Sequence, residues 1–162
     1  MAPKENSFVL PVGIASRVEA GRVLREIQVL DEFLSQAAIR HPGSSTKLPR
    51  TSRLLDDLVT SNKLNILLEP DRRQLQVSMT TIKDKAPLLH ISFSADPSPL
   101  FTQKLVTWLR QNIHPYVLLQ MGLQPNIGAG CIVRTNNRYF DFSLRQHFKD
   151  QRELLIRELA GV

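Results

Sequence analysis

The residues of this chain that could hold a metal or act as a nucleophile are four histidines and a single cysteine. His41, His90, His114 and His147 lie far apart in the sequence, in none of the short spacings by which two imidazoles reach one metal ion. A catalytic thiol needs exposure and a nearby base, whereas Cys131 stands in an apolar segment that favours burial. We therefore predict no metal centre, no cofactor and no cysteine-dependent catalysis.

Gly128 and Gly130, separated by Ala129, could be taken for a phosphate-binding loop. They come before a strand-like segment rather than at the start of a helix, and no Gly-Lys-Ser or Gly-Lys-Thr follows them. Glycines in such a position are typical of a close backbone approach or a bulge where a strand begins. We therefore expect neither a P-loop nor a dinucleotide site.

The carboxylates do not form an obvious acid–base pair. Asp56 and Asp57 are adjacent on a predicted helix, so their side chains point in different directions. Asp141 lies two residues before Ser143, and a short acidic side chain in such a place commonly accepts a hydrogen bond from nearby backbone groups. No set of polar residues converges on an active site, and we predict a non-catalytic protein without a small-molecule substrate.

Arg134 and Tyr139 are predicted neighbours across a hairpin, and an aromatic ring beside an arginine could hold an RNA base. The net charge of +6 also favours an anionic partner. However, residues 1–86 carry 13 Lys/Arg against 10 Asp/Glu, and residues 87–162 carry 8 against 5, so the positive charge is spread along the chain. We expect no direct nucleic-acid binding and keep a small basic RNA-binding module as the alternative function.

The sequence predicts a β-hairpin at 131–142, with Asn136-Asn137 as its two-residue turn. This hairpin carries Cys131, Arg134, Tyr139 and Asp141 and must therefore position them. A two-residue turn pairs Val133 with Phe140 and Cys131 with Phe142. Because side chains alternate across a sheet, the two faces of the hairpin differ in polarity. The predicted apolar face carries Cys131, Val133, Phe140 and Phe142, and the predicted outer face carries Ile132, Arg134, Tyr139 and Asp141.

The rest of the C-terminal part, residues 86–162, alternates between strand and helix patterns. Apolar residues recur at every second position over 89–94 and 117–123, which predicts two strands with a helix between them. After the hairpin, Ser143 and Gln146 have the spacing of a capping box, so we expect one final helix up to about Ala160. The prediction is a small α/β domain of order β-α-β-β-β-α.

Residues 1–85 have a helical character and begin with a flexible tail over residues 1–13. Ser16 and Glu19 have the capping-box spacing for a first helix, which runs to about residue 40. A loop with prolines and a glycine, 41–49, separates it from two further helices, over 51–64 and from Glu69 to the residue before Pro87. About three N-terminal helices and a small sheet place the chain in the α+β class.

The first helix carries an apolar seam whose members are three or four residues apart, as in a heptad pattern. The seam consists of Ala20, Val23, Ile27, Leu30, Leu34 and Ala37. Such a seam is typical of one face of a helical bundle. Its narrow width and charged flanks also fit a helix that binds a partner's long helix, and these six residues are the predicted partner-binding surface.

The composition also bears on where the protein is found. No apolar run approaches the roughly 18 residues that a membrane-spanning helix needs. A single cysteine fits a reducing compartment, and the first residues, with an acidic side chain and a short apolar patch, are unlike a signal peptide. We expect a cytoplasmic protein, or one attached peripherally to a larger assembly.

The order of residues around the hairpin resembles the C-terminal domain of the ATP synthase delta subunit, whose mitochondrial counterpart is the oligomycin-sensitivity-conferring protein. That family has a proline-containing approach, an Ile-Gly-Gly, a strand ending in arginine, a turn, an Asp-x-Ser pair and a final helix. The matching residues here are Pro125, Ile127, Gly128, Gly130, Val133, Arg134, Asp141, Ser143, Leu144 and Arg145. The resemblance covers about residues 86–162, Ala129 separates the paired glycines, and the helical part is shorter than the family's.

This resemblance implies a non-catalytic stator subunit of a rotary F-type ATP synthase. Such a subunit binds other stalk and head subunits, lies peripherally at the cytoplasmic side of the inner (cell) membrane, and helps to hold the catalytic head against rotation. The resemblance also implies that Gly128, Gly130, Arg134, Asp141 and Ser143 form the fold signature of the C-terminal domain. A stator needs interface area rather than reactive side chains, which agrees with amphipathic helices and the lack of a predicted active site.

Overall fold

The computed structural model of the chain describes residues 8–40, 48–135 and 137–160. It has the predicted α+β fold, with N-terminal helices followed by a small four-stranded sheet. The elements are α1 (Arg17–Arg40), α2 (Arg53–Asn62), α3 (Glu69–Lys85), β1 (Leu88–Phe93), α4 (Pro99–Asn112), β2 (Leu118–Leu123), β3 (Gly130–Arg134), β4 (Tyr139–Ser143), α5 (Arg145–Asp150) and α6 (Arg152–Ala160).

The start of α1 is set by the predicted capping box. The Ser16 Oγ accepts a hydrogen bond from the Glu19 N–H at 3.2 Å, and the Glu19 carboxylate accepts one from the Ser16 N–H at 2.8 Å. Each side chain thereby satisfies a backbone N–H that the first turn of a helix leaves without a partner. The predicted helix start is confirmed.

The apolar seam of α1 packs inside the chain, and this corrects the prediction that it forms a partner-binding surface. α1 contacts α3 and, less extensively, α2. Ala20, Val23 and Ile27 are completely buried, and Leu30 is almost so. Leu34 and Ala37, nearer the end of the helix, are half-buried. The heptad spacing is therefore explained, for its first four members, by the chain's own helical core.

Two polar links join α1 to the other helices. The Glu26 carboxylate accepts hydrogen bonds from the backbone N–H and the hydroxyl of Ser52, the residue that caps α2. The buried guanidinium of Arg72 in α3 donates to the Asp31 carboxylate at 2.6 Å and to the carbonyl oxygens of Ile66 and Leu67. Because both links connect distant parts of the sequence, they determine how the helices are arranged.

The chain divides into two compact units. The helical unit extends to Pro87 and also includes Val106–Leu118, which the sequence placed in the C-terminal domain. The sheet unit comprises Leu88–Leu105 and the chain from Leu119 onward. One boundary between the units falls between Pro87 and Leu88, and the second half of α4 with the segment after it belongs to the helical unit.

Arg110 explains why this part of α4 belongs to the helical unit. Its guanidinium donates to the carbonyl oxygens of Leu10, Pro11 and Ile14 at 2.6 to 2.9 Å. Burial lowers the pKa of Arg110 to about 10, although the charge of Glu19 raises it. Residues 8–13, predicted as part of a flexible tail, are thus held in place, and Leu10 is buried. The rest of the predicted tail, residues 1–7, lies outside the described residues.

The sheet has the strand order β2-β1-β3-β4. β3 is antiparallel to both β1 and β4. Hydrogen bonds from Leu118 to Pro87 and from Gln124 to Phe93 show that β2 runs parallel to β1, as expected for strands joined by a crossover helix. On one side of the sheet, Phe101 of α4 contacts Phe93 edge-to-face, with ring centroids 5.9 Å apart.

The predicted register of the hairpin is confirmed. Val133 lies opposite Phe140 and Cys131 lies opposite Phe142, while the N–H of Thr135 donates to the carbonyl of Arg138 at 2.8 Å. Asn136 lies outside the described residues, so the conformation of the turn stays a prediction. The predicted burial is wrong for β4, since both phenylalanines are exposed, whereas Ile132 on the opposite face is buried.

The final helix differs from the prediction in two ways. It is divided into α5 and α6 at Gln151, and it starts after Leu144 rather than at Ser143. Ser143 is the last residue of β4 and lies opposite Gly130, and the N-cap of the helix is Leu144 rather than the predicted Ser143. The loop predicted at 41–49 falls largely on residues 41–47, which are outside the described residues.

Candidate functional site

The first candidate site is the apolar side of β4, an edge strand. Phe140 and Phe142 point to this side, with ring centroids 6.2 Å apart and planes inclined by 11°. Phe142 is 62% exposed, and Leu144, which follows the strand, is also exposed. Large apolar side chains at the edge of a sheet are typical of a surface that binds another protein chain.

The last helix, α6, also exposes apolar side chains. Ile156 and Leu159 of α6 are three residues apart, so they lie on the same side of the helix. Both are exposed, Leu159 to 79%. We call the exposed apolar side chains of β4 and the helices after it the C-terminal apolar residues: Phe140, Phe142, Leu144, Ile156 and Leu159. The sequence places apolar residues at these positions but gave no signal that they would be exposed.

The second candidate site is the opposite face of the sheet, which is polar and concave. A cavity of about 470 Å³ is lined by His90 and Ser92 of β1, Gln120, Met121 and Gly122 of β2, and Arg134 and Thr135 at the end of β3. His90 lies directly opposite Arg134 in the antiparallel pair of β1 and β3. Sequence reasoning found Arg134 but missed the cavity, because its residues come from three separate segments.

Arg134 and Tyr139 are cross-strand neighbours, as predicted. The guanidinium carbon of Arg134 lies 5.2 Å from the centroid of the Tyr139 ring, a cation–π arrangement. Tyr139 is 54% exposed and is the only Phe, Tyr or Trp side chain on this face within the described part of the sheet. The stacking holds the arginine beside the cavity.

Asp141 and Ser143 are joined by a hydrogen bond. The Asp141 carboxylate accepts it from the Ser143 N–H at 2.8 Å. Hydrogen bonds from the side chain and then the backbone of Ser143 lower the pKa of Asp141, and the charge of Arg145 adds to this effect. The predicted contact of Asp141 with a backbone group near Ser143 is therefore present, at the end of β4.

Gly128 and Gly130 differ in the space that a side chain would have. Gly130 has φ +90°, and a Cβ there would collide with the carbonyl oxygen of Phe142 in the paired strand. Gly128 has φ +78°, but a Cβ there would meet no atom within 4 Å. The expected close backbone approach is thus found at Gly130, and the left-handed conformation explains glycine at both positions.

In the described part of the chain, the side chains that could act as nucleophiles or metal ligands are not grouped into one site. Cys131 is half-buried, and desolvation raises the pKa of its thiol. Within residues 8–40, 48–135 and 137–160, no three His, Cys, Asp or Glu side chains are grouped closely enough to hold a metal ion. None of the described helices combines the length and the apolar character needed to cross a membrane.

Comparison of the chain with protein-family models gave no match, and comparison with curated proteins also gave none.

Proposed function

We propose that this protein is a non-catalytic peripheral-stalk subunit of a rotary F-type ATP synthase. It binds other stalk subunits and helps to hold the catalytic head against rotation, and it reaches the cytoplasmic side of the inner (cell) membrane through that complex. The observation that carries the proposal is the exposure of the C-terminal apolar residues on β4 and α6. Apolar side chains in such numbers are suited to burial against a partner.

The resemblance to the delta subunit supports the choice of partner. Residues 86–162 have the strand and helix order that this resemblance implies, except that the final helix is divided into α5 and α6. The residues that carry the resemblance have structural tasks: Gly130 permits close contact with β4, and Asp141 binds Ser143. A domain that keeps these contacts and exposes apolar side chains fits an amphipathic helix of a stalk subunit as the bound partner.

The test is a pull-down of the tagged full chain from native membranes in a mild detergent. We expect head and stalk subunits of an ATP synthase to co-purify in constant proportion to the tagged chain, as identified by mass spectrometry. Recovery of the folded chain without any ATP synthase subunit would contradict the proposal.

Two variants on β4 test which surface binds. Phe142→Asp places a charge on the apolar side of the strand, and Tyr139→Asp places the same charge on the opposite side at a similarly exposed position. We expect Phe142→Asp to reduce co-purification of the stalk subunits at least tenfold, and Tyr139→Asp to leave it unchanged. Thermal unfolding of both variants controls for folding. Equal losses in the two variants would exclude the apolar side of β4 as the specific contact.

The alternative function, an RNA-binding module, is favoured by one observation, the stacked Arg134 and Tyr139 on the polar face. Recognition of single-stranded RNA by a sheet usually uses two or three aromatic side chains, and this face offers one. Phosphate contacts make RNA binding weaker at higher salt, whereas an apolar protein interface is much less sensitive. Binding of a fluorescent RNA oligomer at low salt that falls steeply at physiological salt would favour the alternative.

A further inference from the structure

Five of the seven residues that line the cavity on the polar face of the sheet carry hydrogen-bond donors in their side chains. His90, Ser92, Gln120, Arg134 and Thr135 all carry N–H or O–H groups, and no carboxylate of the described residues lines the cavity. The nearest acidic residue along β4, Asp141, is outside the lining and already accepts a hydrogen bond from Ser143. A concave surface of this composition is complementary to an anion.

Most of these donors have no partner of their own. The side chains of His90, Ser92, Gln120 and Arg134 make no hydrogen bond or ion pair with any residue in the described parts of the chain. The contact of Arg134 with the Tyr139 ring orients the guanidinium but leaves its N–H groups unused. Thr135 differs, because its hydroxyl accepts a hydrogen bond from the Arg138 N–H.

The backbone keeps the cavity open. Ser92 and Gly122 lie on neighbouring strands, and a Cβ at Gly122 would come to 3.3 Å from the Ser92 Oγ. A side chain at position 122 would therefore crowd the Ser92 hydroxyl within the lining of the cavity. The absence of a side chain leaves room for a ligand atom over this face of β1 and β2.

We propose that this cavity binds a phosphate monoester on a small molecule of about mononucleotide size. The planar guanidinium of Arg134 can donate two parallel hydrogen bonds to phosphate oxygens, and the Ser92 hydroxyl and the Gln120 amide supply further donors. The volume of about 470 Å³ lies within the range of small-molecule sites and exceeds the space that a phosphate alone requires. This site is separate from the apolar side of β4 and does not depend on the proposed stator function.

The test is a titration of the full chain with AMP, inorganic phosphate and adenosine, followed by two-dimensional amide NMR. We expect AMP and phosphate to shift the signals of residues 90, 92, 120 and 134, and adenosine to leave them unchanged. Arg134→Gln should weaken AMP binding at least tenfold. Arg138→Gln is the matched control, because Arg138 is an exposed arginine of the same hairpin that does not line the cavity.

A second variant keeps the test decisive if Arg134→Gln does not fold. Gly122→Ala retains every charge but narrows the cavity, and it should weaken AMP more than inorganic phosphate. The proposal is overturned if neither AMP nor phosphate shifts these signals, if adenosine shifts them as AMP does, or if Arg138→Gln weakens binding as much as Arg134→Gln. Binding of a single-stranded RNA decamer without binding of AMP would also overturn it, in favour of an RNA interface.

Discussion

The two units of the molecule use their apolar residues differently. In the helical unit, side chains of α1, α2 and α3 such as Ile27, Leu58 and Met79 are completely buried. In the sheet unit, β4 and α6 leave large apolar side chains exposed. Both units also expose other large apolar side chains, but most of the completely buried ones lie in the helical unit. Since burial of apolar surface is the main source of stability, the helical unit holds the larger share of the stabilising core. The predictions below test this difference, starting with the largest effect.

Ile27→Asp should have the largest effect, because it places an unpaired charge in the centre of the helical core. We expect the free energy of unfolding to fall by about 4 kcal/mol or more. Val29→Asp is the matched control, since Val29 lies on the same helix and is 63% exposed. It should change stability by less than about 0.5 kcal/mol. Urea unfolding followed by circular dichroism measures both, and equal effects would mean that α1 does not pack as described.

Asp31→Ala should come next, because it removes the carboxylate partner of Arg72, whose side chain is only 5% exposed. A buried charge without its partner costs about 3 kcal/mol. Asp57→Ala removes an exposed ion pair with Arg53 and should cost less than about 0.5 kcal/mol. The same urea experiment applies, and a cost for Asp57→Ala as large as for Asp31→Ala would show that the buried pair has no special role.

Replacement of Gly130, the first residue of β3, should lower stability more than replacement of Gly128, which precedes the strand. Gly130→Ala combines a left-handed backbone with a collision against Phe142 and should lower stability by about 2 kcal/mol or more. Gly128→Ala has only the backbone strain, about 1 kcal/mol. Thermal unfolding distinguishes them. If Gly128→Ala were the more harmful variant, close contact between β3 and β4 would not be the reason for glycine at 130.

Ser143→Ala should have the smallest effect of these variants, since Asp141, the carboxylate that it affects, lies at the surface. Its pKa is lowered in the folded chain by hydrogen bonds from Ser143, so it adds stability above the pKa of the unfolded state and loses this contribution as the pH falls through the folded pKa. Ser143→Ala should raise the pKa of Asp141 towards its usual value. Titration of the carboxyl carbon by NMR measures the change, and no change would mean that the serine side chain is not its partner.

Local patterns predicted local structure well. The capping box of Ser16 and Glu19 formed because both partners lie within one turn of helix. The hairpin register was predictable because alternation and turn length together leave one pairing of Val133 with Phe140. The same local rule failed at Ser143, where pairing with Gly130 extends the strand, so a tertiary contact overrode a capping signal.

Burial could not be predicted in the same way. A heptad seam has the same sequence pattern whether its partner is α3 of the same chain or a helix of another protein. The alternation of β4 shows that Phe140 and Phe142 share a face, but it does not show whether anything covers that face. These outcomes depend on contacts between distant parts of the chain.

The sequence by itself therefore determined the α+β class, the order of the elements, the hairpin register and the structural role of Asp141, because these follow from periodicity and short-range hydrogen bonds. Only the tertiary structure decided that the α1 seam is internal, that Arg110 binds residues 10–14, that β4 is exposed, and that His90, Gln120 and Arg134 line one cavity. The physical reason is that burial and cavities depend on contacts between residues far apart in the chain. A local sequence pattern does not indicate which distant residues come into contact.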